Sequence, residues 1–488
     1  MALSEVELVE GDAEPPAAAP GARRPGSRRW LAAIGAVVVG GVLAGGQAVL
    51  DARERAHQAR FDDVAGVLAP VAEHPRELWT APVDENGSSP LDDTVNVQGH
   101  LVTASTDGAT YTIRSIDRAT GEDAWKVTGK ATVPADIDGA SARCEPLGSD
   151  ALVACVVEPR GVSDEPGGPL LVVVDAADGT VVDRRSLTDE LWAAGGGAVV
   201  TATSTQTDDA TTWALDARDA TGKQLWHRTL EPVDLTDADR STDNQHYDET
   251  NLLVSDDRVV LTASGTVRWL EDGDVVAEGN LPVDTTTELV GDVLVATAWD
   301  RTVEGEGSFY ESPVGATLHP LGHAPVEVDG DLVRPDVDDG SADAVLVRDA
   351  DGGLTAYDAS AGRARWSDTG TSNGVLVLGG TVYEVVGDAT LTLVARDAAT
   401  GDVRWRRDLS QSGWAQYLTL ATDGRYVYAV DSAALTPFAI DDGEPQATRA
   451  LPFDLSRVSS FGFDTSHGVL LVAAQDDDGS TTSVTAVG

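Results

Sequence analysis

One turn motif, repeated along the chain, constrains the fold more than any other feature. In each strong copy a Trp follows a Gly by four residues, and in three of the four copies an Asp precedes the Gly by four. The strong copies contain Asp117, Gly121 and Trp125; Gly222 and Trp226; Asp358, Gly362 and Trp366; and Asp397, Gly401 and Trp405. Weaker copies without the Trp occur at 175–179, 272–273 and 441–443. Between the copies, short Val-, Leu- and Thr-rich runs alternate with Gly and Asp turns, which is typical of many short strands.

The chemistry of the motif is structural. An Asp side chain can accept hydrogen bonds from the backbone of its own turn, and Gly adopts a positive φ at little cost. The Trp ring is large enough to bury much apolar area between neighbouring sheets. We therefore expect these residues to hold the fold together rather than to carry an activity.

The pattern resembles the repeat of PQQ-like (pyrroloquinoline quinone-like) β-propellers, in which an Ala-x-Asp-x-x-Thr-Gly turn is followed by a Trp. The copy that ends at Trp366 fits with its Thr replaced, and the copy that ends at Trp405 fits closely. The spacing between turns, mostly 39–58 residues, is that of one propeller blade. The resemblance implies an all-β propeller of four-stranded blades over residues 76–488.

The two ends of this region predict how the ring closes. Trp79 lies in a segment that resembles the last strand of a blade, whereas residues 469–474 and 480–487 resemble a blade without its Trp strand. Pairing the two ends in one blade would remove both sheet edges. The repeat count reaches nine if every weak copy forms a blade; the family usually has eight, and we predict eight.

The N-terminal region predicts one transmembrane helix before the propeller. Residues 1–29 are rich in Ala, Pro and Gly and resemble a disordered cytoplasmic tail. Residues 30–50 carry no charge and are long enough to span a bilayer. Four arginines directly before them (Arg23, Arg24, Arg28 and Arg29) favour a cytoplasmic N-terminus, so the protein is predicted to be a single-pass membrane protein with an extracytoplasmic propeller. A signal peptide cleaved after Ala48 is the alternative.

Residues 51–75 predict a helical juxtamembrane stalk. Phe61, Val64, Val67 and Leu68 recur at helical spacing, and Pro75 would end the helix.

The charge of the chain restricts its partners. There are 81 acidic and 34 basic residues, for a net charge of −47. Such a surface repels nucleic acid, whose binding requires Lys and Arg. The acidity fits solubility or salt adaptation, and a cation-binding role is the alternative.

Two cysteines, Cys144 and Cys155, are the only ones in the sequence. The segment between them resembles a hairpin, and an exported domain is oxidised, so we predict a structural disulfide between them. Their spacing fits no zinc site.

No catalytic, cofactor-binding or metal-binding residues are predicted. The carboxylates of the acidic loops at 336–340, 349–352 and 476–479 could ligate structural calcium, but ordinary turns explain these loops as well. His319 and His323 have the spacing of helical metal ligands, yet Pro320 and Gly322 break any helix there. The sequence has neither a His-Glu-x-x-His motif nor a Walker loop.

Two functions remain open. The first is a non-enzymatic scaffold that binds envelope or membrane proteins. The second is a quinoprotein-like enzyme, or a binder of small ligands or calcium, that uses the central channel. The resemblance implies PQQ for the second, but the adjacent Cys-Cys pair of such enzymes is missing here, so PQQ is not expected and no enzymatic activity is predicted.

Overall fold

The computed structural model describes the chain from residue 60 onward with gaps. The described residues are 60–61, 64–82, 94–132, 139–148, 151–159, 168–187, 191–207, 209–234, 250–255, 258–282, 285–304, 308–387, 390–409, 418–452, 460–465, 468–475 and 481–488. The tail predicted at 1–29 and the transmembrane helix predicted at 30–50 lie outside them. Within the described ranges, no helix is long and apolar enough to cross a membrane.

The described strands form nine antiparallel sheets, which are the blades of a β-propeller. Blades one to three consist of β2 (Val95–Val97), β3 (His100–Asp107), β4 (Thr110–Ile116) and β5 (Asp123–Lys130); β6 (Ala140–Pro146), β7 (Leu152–Pro159), β8 (Leu170–Asp175) and β9 (Val181–Ser186); and β10 (Leu191–Gly195), β11 (Ala198–Gln206), β12 (Ala210–Asp219) and β13 (Gln224–Thr229), with the short β14 (Val233–Asp234) paired to β12.

Blades four to six follow in chain order. They consist of β15 (Asn251–Ser255), β16 (Arg258–Ala263), β17 (Thr266–Glu271) and β18 (Asp274–Asn280); β19 (Thr285–Val290), β20 (Val293–Glu304), β21 (Ser308–Pro320) and β22 (Val326–Val328); and β23 (Asp331–Leu332), β24 (Ala344–Arg348), β25 (Leu354–Asp358) and β26 (Ala364–Ser367).

Blades seven to nine complete the ring. They consist of β27 (Ser372–Leu378), β28 (Thr381–Val386), β29 (Thr392–Asp397) and β30 (Val403–Asp408); β31 (Thr419–Thr422), β32 (Tyr426–Val430), β33 (Ala434–Ala439) and β34 (Arg449–Ala450); and β35 (Ser460–Asp464), β36 (Leu470–Gln475) and β37 (Thr481–Val487) with β1 (Glu77–Pro82).

The ninth blade confirms the predicted closure. β1 pairs antiparallel with β37, and Trp79 stands opposite Ala486. Strands from both ends of the described chain therefore share one sheet, which protects two edges that would otherwise be open.

The predicted number of eight blades is wrong, because nine sheets are present among the described strands. Blade five has no strong copy of the turn motif, yet it forms four strands. Its Val293, Val295, Ala316 and Leu318 are buried in a cluster with residues of blade six. Residues 293–296 are all buried, as expected for a strand whose sheet is covered on both faces, so erosion of the motif does not remove a blade.

The two faces of the disc differ in the connections that form them. Turns between the first and second strands, and between the third and fourth, lie on one face, which we call the N-terminal face. Turns between the second and third strands, and the connections between blades, lie on the opposite face, which we call the distal face. The names reflect the position of the residues that precede β1.

Those residues differ from the predicted stalk. Residues 60–61 and 64–76, here called the N-terminal segment, form turns and extended chain instead of a helix. Phe61 and Val67 are buried in a cluster formed mainly by blades seven and eight, and Leu68 is buried between blades eight and nine. The Leu68 N–H donates to the Thr422 carbonyl at 2.7 Å, and the Ala69 N–H donates to the Gly468 carbonyl at 3.3 Å. The apolar side chains thus belong to the propeller core, which begins before residue 76.

Candidate functional site

The predicted Trp residues connect neighbouring blades. The indole Nε1 donates to a backbone carbonyl in the turn of the next blade for Trp79 (Arg118, 2.9 Å), Trp125 (Ala176, 2.8 Å), Trp366 (Ala398, 2.9 Å) and Trp405 (Ile440, 3.0 Å). Each ring also lies against the Gly of that turn, as does the ring of Trp226. The Gly partners are, in chain order, Gly121, Gly179, Gly273, Gly401 and Gly443. Every such contact crosses a blade boundary.

The motif Gly has two requirements at once. Gly401 has φ +75°, and a Cβ there would lie 2.6 Å from Cγ of Trp366. Gly222 and Gly362 also have positive φ, but neither faces a Trp ring. Gly222 faces Arg185 and Asp183, and Gly362 faces Pro320. The Gly therefore provides both the turn conformation and the space for the neighbouring blade.

A pair of Ala substitutions in blade seven separates these two effects. Gly379 has φ +58° and nothing within 4 Å of an added Cβ, so Gly379→Ala should cost only the backbone strain, about 1 kcal/mol. Gly401→Ala should cost about 1–3 kcal/mol more, because the methyl group overlaps the Trp366 ring. Denaturant unfolding of both variants measures the difference. Equal losses would contradict the docking role of Gly401.

The motif Asp organises its own turn. Asp397 Oδ1 accepts from the N–H groups of Ala399 and Thr400, and Arg404 lies 2.8 Å from its other oxygen. The bond from Arg404 is the main cause that lowers the pKa of Asp397. Asp358 accepts from the Ser360 hydroxyl and backbone in the same way, and these bonds hold its pKa well below the usual range. Asp117 accepts from Ala119 and Thr120. These carboxylates are used by the turns.

The boundary between blades two and three has no such Trp. Four residues after Gly179 the chain has Asp183, which pairs with Arg185. A polar cavity of about 300 Å³ lies at this boundary, lined by Arg185, Asp216, Arg218 and His227 among others. Arg218 Nε lies 2.7 Å from Asp216 Oδ1, so the charges of the cavity largely compensate one another.

The structure confirms the predicted disulfide. Cys144 of β6 and Cys155 of β7 stand opposite each other in the hairpin, with their Cα atoms 4.1 Å apart, and form a disulfide. Both residues are buried in the cluster between blades one and two. The bond therefore braces the β6–β7 hairpin at the boundary between blades one and two.

Replacing both cysteines by Ala should lower the free energy of unfolding by about 2–3 kcal/mol, since the bond closes a short loop. Denaturation of the wild type with and without reductant, beside the double variant, measures the effect. An unchanged stability in reductant would contradict a structural role.

A buried ion group connects blades six and seven. Arg396 Nε donates to Glu384, and Arg396 also pairs with Asp368, which follows the last strand of blade six. Glu384 is fully buried, and this burial raises its pKa to about 7, although Arg406 and the Ser372 hydroxyl oppose the shift. This group was not predicted from the sequence.

The raised pKa predicts a pH dependence of stability. The folded state binds the Glu384 proton more tightly than the unfolded state does, so its contribution is complete below pH 4.5 and is lost as the pH rises through 7. Relative to Glu384→Gln, the wild type should lose up to about 3 kcal/mol of stability between pH 4 and pH 8. Urea unfolding of both proteins across this range tests the idea, and a pH-independent difference would disprove it.

The chain itself fills part of the central channel. The loop 333–343 of blade six runs beside β27, the first and innermost strand of blade seven. The Asp336 N–H donates to the Val375 carbonyl at 3.0 Å, and the Val377 N–H donates to the Val337 carbonyl at 2.8 Å. A Cβ on Gly66 of the N-terminal segment would lie 2.6 Å from the Asp336 carbonyl oxygen. The loop and the segment therefore meet at the mouth of the channel on the N-terminal face.

The acidic loops act as turns where they are described. Asp338 Oδ1 accepts from the Gly340 N–H, and Asp349 Oδ1 accepts from the Asp351 and Gly353 N–H groups. The loop at 476–479 lies outside the described residues. In the described part of the chain, no three His, Cys, Asp or Glu side chains are grouped to hold a metal ion. His319 is buried in β21, which lowers its pKa, whereas His323 is exposed in the following turn.

A larger cavity of about 540 Å³ lies on the N-terminal face between the N-terminal segment and the turns of blade one. Its charged wall residues are already bonded: Asp117 within its turn, Arg118 to Asn96, and Asp423 to Tyr428. The remaining wall includes Phe61, Val67, Leu68 and Pro70. The cavity is thus mainly a gap beside the segment.

Comparisons with known proteins agree with the repeat. Residues 350–452 match the family model described as "Outer membrane protein assembly factor BamB". This match confirms the PQQ-like repeat in blades six to eight; it covers less than half of the chain. No curated protein matches the chain.

Solved structures of two kinds are similar in fold. BamB from Moraxella catarrhalis is 13% identical, with 85% of this chain and 99% of that chain covered and a TM-score of 0.35. A quinohemoprotein alcohol dehydrogenase from Comamonas testosteroni is 10% identical, with 87% and 80% covered and a TM-score of 0.35. Another from Pseudomonas putida HK5 is 11% identical, with 86% and 78% covered and a TM-score of 0.38. Identities and TM-scores this low leave the choice between scaffold and enzyme open.

Proposed function

We propose that this protein is a membrane-anchored, extracytoplasmic scaffold that binds another protein of the cell envelope and catalyses no reaction. The observation that carries the proposal is the match of residues 350–452 to the model of an assembly factor. The contacts of the motif residues support it, because Asp, Gly and Trp are used for turns and blade docking.

The anchor is proposed from the sequence. The uncharged residues 30–50 and the four preceding arginines favour an uncleaved helix with a cytoplasmic N-terminus. An anchor raises the effective concentration of the propeller for membrane-bound partners. A soluble substrate would gain nothing from it.

The alternative is a quinoprotein-like enzyme that uses the central channel. The residues present do not fit a quinone site of that kind. The two cysteines are separated by ten residues and are bonded to each other inside blade two. The loop 333–343 and the N-terminal segment also restrict the channel at the N-terminal face.

A titration of the full chain with PQQ and calcium separates the two functions. We expect no saturable binding heat, no quinone absorbance retained with the protein, and no dye-linked oxidation of alcohols or sugars. Stoichiometric quinone binding with turnover would contradict the scaffold proposal and favour the quinoprotein-like enzyme. Protease added to spheroplasts should digest the chain beyond residue 76, and full protection would contradict the proposed orientation.

A further inference from the structure

The boundary between blades two and three has a charged residue where the repeat places its Trp. This position, four residues after the Gly of the turn, is Asp183 in blade two. Blades four and five also lack the Trp, but there the position is apolar. Its residues, Ala277 and Val326, pack against the buried clusters of their boundaries. The boundary after blade two therefore departs from the packing of those two boundaries.

An ion pair takes the place of the ring. A Cβ on Gly222 would lie 2.8 Å from Nη1 of Arg185 and 3.2 Å from Oδ2 of Asp183, so this pair covers the turn as an indole does elsewhere. The side chains of Arg185 and Asp183 are only 20% and 16% exposed. Burying charge costs free energy, and a position where a chain breaks its own packing rule is often functional.

Blade three presents a row of polar side chains to the adjoining cavity of about 300 Å³. Thr201 of β11 stands opposite Asp216 of β12, which in turn stands opposite His227 of β13. Arg218 Nε lies 2.7 Å from Asp216 Oδ1, and His227 Nδ1 lies 3.7 Å from Asp216 Oδ2. The cavity therefore offers hydrogen-bond donors and acceptors side by side.

The size of the cavity restricts its ligand to a small molecule. A volume of about 300 Å³ is at the lower end of the range for ligand pockets. It is roughly twice the ~150 Å³ of a cavity that holds benzene, so it accommodates a six-membered ring with its substituents.

The charges of the cavity favour a neutral and polar ligand. Arg185 is balanced by Asp183, and Arg218 is balanced by Asp216, so neither an anion nor a cation would meet an uncompensated charge there. An anion would also be repelled by the net charge of −47. An apolar ligand would leave the polar wall groups unpaired. A molecule with many hydroxyl groups avoids all three penalties.

We propose that the cavity between blades two and three binds a neutral, polyhydroxylated molecule of monosaccharide size. The Asp216 carboxylate accepts hydrogen bonds from ligand hydroxyls. The Arg185 and Arg218 guanidinium groups donate to ligand oxygens. The site is formed by β9, β11, β12 and β13, and not by β10, the innermost strand of blade three. It goes beyond the proposed scaffold function and does not rest on it.

The test is a ligand-observed NMR titration of the full chain in detergent with glucose, galactose and mannose. We expect at least one of these hexoses to bind saturably, with a dissociation constant of roughly 1 mM for so small a ligand. The uronate and the 2-amino derivative of that hexose carry a negative and a positive charge. Each should bind at least roughly tenfold more weakly.

Two substitutions locate the site. Asp216→Asn removes the carboxylate charge at nearly unchanged size and should weaken hexose binding at least roughly tenfold. Asp183→Trp introduces the ring that the repeat otherwise has, displaces Arg185 and should abolish binding. The matched control is Asp274→Asn, which also removes a carboxylate beside an arginine, Arg228. The Asp274 side chain is 80% exposed on blade four, so hexose binding should be unchanged.

A photoreactive derivative of the same hexose locates the site without any substitution. It should label residues of β9, β11, β12 or β13 in the wild type, and labelling only elsewhere would overturn the proposal. The proposal also fails if no hexose binds, if the charged derivatives bind as tightly as the hexose, or if folded Asp216→Asn binds as tightly as Asp274→Asn. The quinone titration does not involve this cavity, so the two proposals can fail separately.

Discussion

A chain that begins at Arg76 should unfold at a much lower temperature than a chain that begins at Gln58. The shorter chain keeps all nine sheets but loses the buried side chains of Phe61, Val67 and Leu68. Full burial of such a side chain contributes about 1.5–3 kcal/mol, so the loss should amount to several kcal/mol. It also removes the hydrogen bond from Leu68 to the Thr422 carbonyl. Thermal and urea unfolding of the two chains measures the difference.

Two further chains serve as controls. The full chain should match the one that begins at Gln58, because Gln58–Gly488 form one compact unit. A chain that begins at residue 83 also lacks β1 and Trp79, which opens the ring at blade nine, and it should not unfold cooperatively. If the chain from Arg76 is as stable as the chain from Gln58, the N-terminal segment is not part of the core.

Trp405→Ala should cost about 3–5 kcal/mol, the largest loss from a single side chain. The ring is 7% exposed, lies 5.9 Å from the Tyr383 ring and fills the space over Gly443. Its Nε1 also donates to the Ile440 carbonyl at 3.0 Å, so the substitution leaves both a cavity and an unpaired acceptor. Denaturant unfolding gives the change in free energy.

The matched control is Leu225→Ala, whose side chain is 52% exposed on β13 and should change stability by less than about 0.5 kcal/mol. Trp405→Phe keeps most of the ring volume and should cost less than Trp405→Ala. A loss at Trp405 no larger than that at Leu225 would refute the docking role of the Trp residues.

Features encoded by local spacing could be predicted from the sequence. The Trp79 segment and the C-terminal strands form one blade, because the C-terminal strands lack a Trp strand and the Trp79 segment provides one. The Cys144–Cys155 pair followed from hairpin spacing, and antiparallel pairing places the two residues opposite each other. The motif turns have the expected bonds because Asp, Gly and Trp act within one turn and its neighbour.

The N-terminal segment could not be predicted in this way. Phe61, Val64, Val67 and Leu68 have helical spacing, but their burial is decided by blades far away in sequence. Gly66 has φ +83°, a conformation that interrupts a helix. Periodicity identifies an apolar face and does not reveal which surface covers it.

The ion group at Glu384 and the long β20–β21 hairpin of blade five were missed for related reasons. A single Glu inside an apolar strand gives no sign that Arg396 and Asp368 will meet it. The hairpin has no turn motif, and its length follows from pairing between β20 and β21. The blade count failed because strand burial persists after the motif has eroded.

Crosslinking in intact cells tests the central claim, that this propeller binds a protein of the envelope, most directly. A photoreactive residue is placed at Asp351 on the distal face and, in a second chain, at Glu122 on the N-terminal face. The scaffold proposal predicts one reproducible membrane or envelope protein crosslinked from at least one of the two positions, in cells where the folded chain is at the membrane. The absence of any reproducible protein crosslink from either position under those conditions would contradict it.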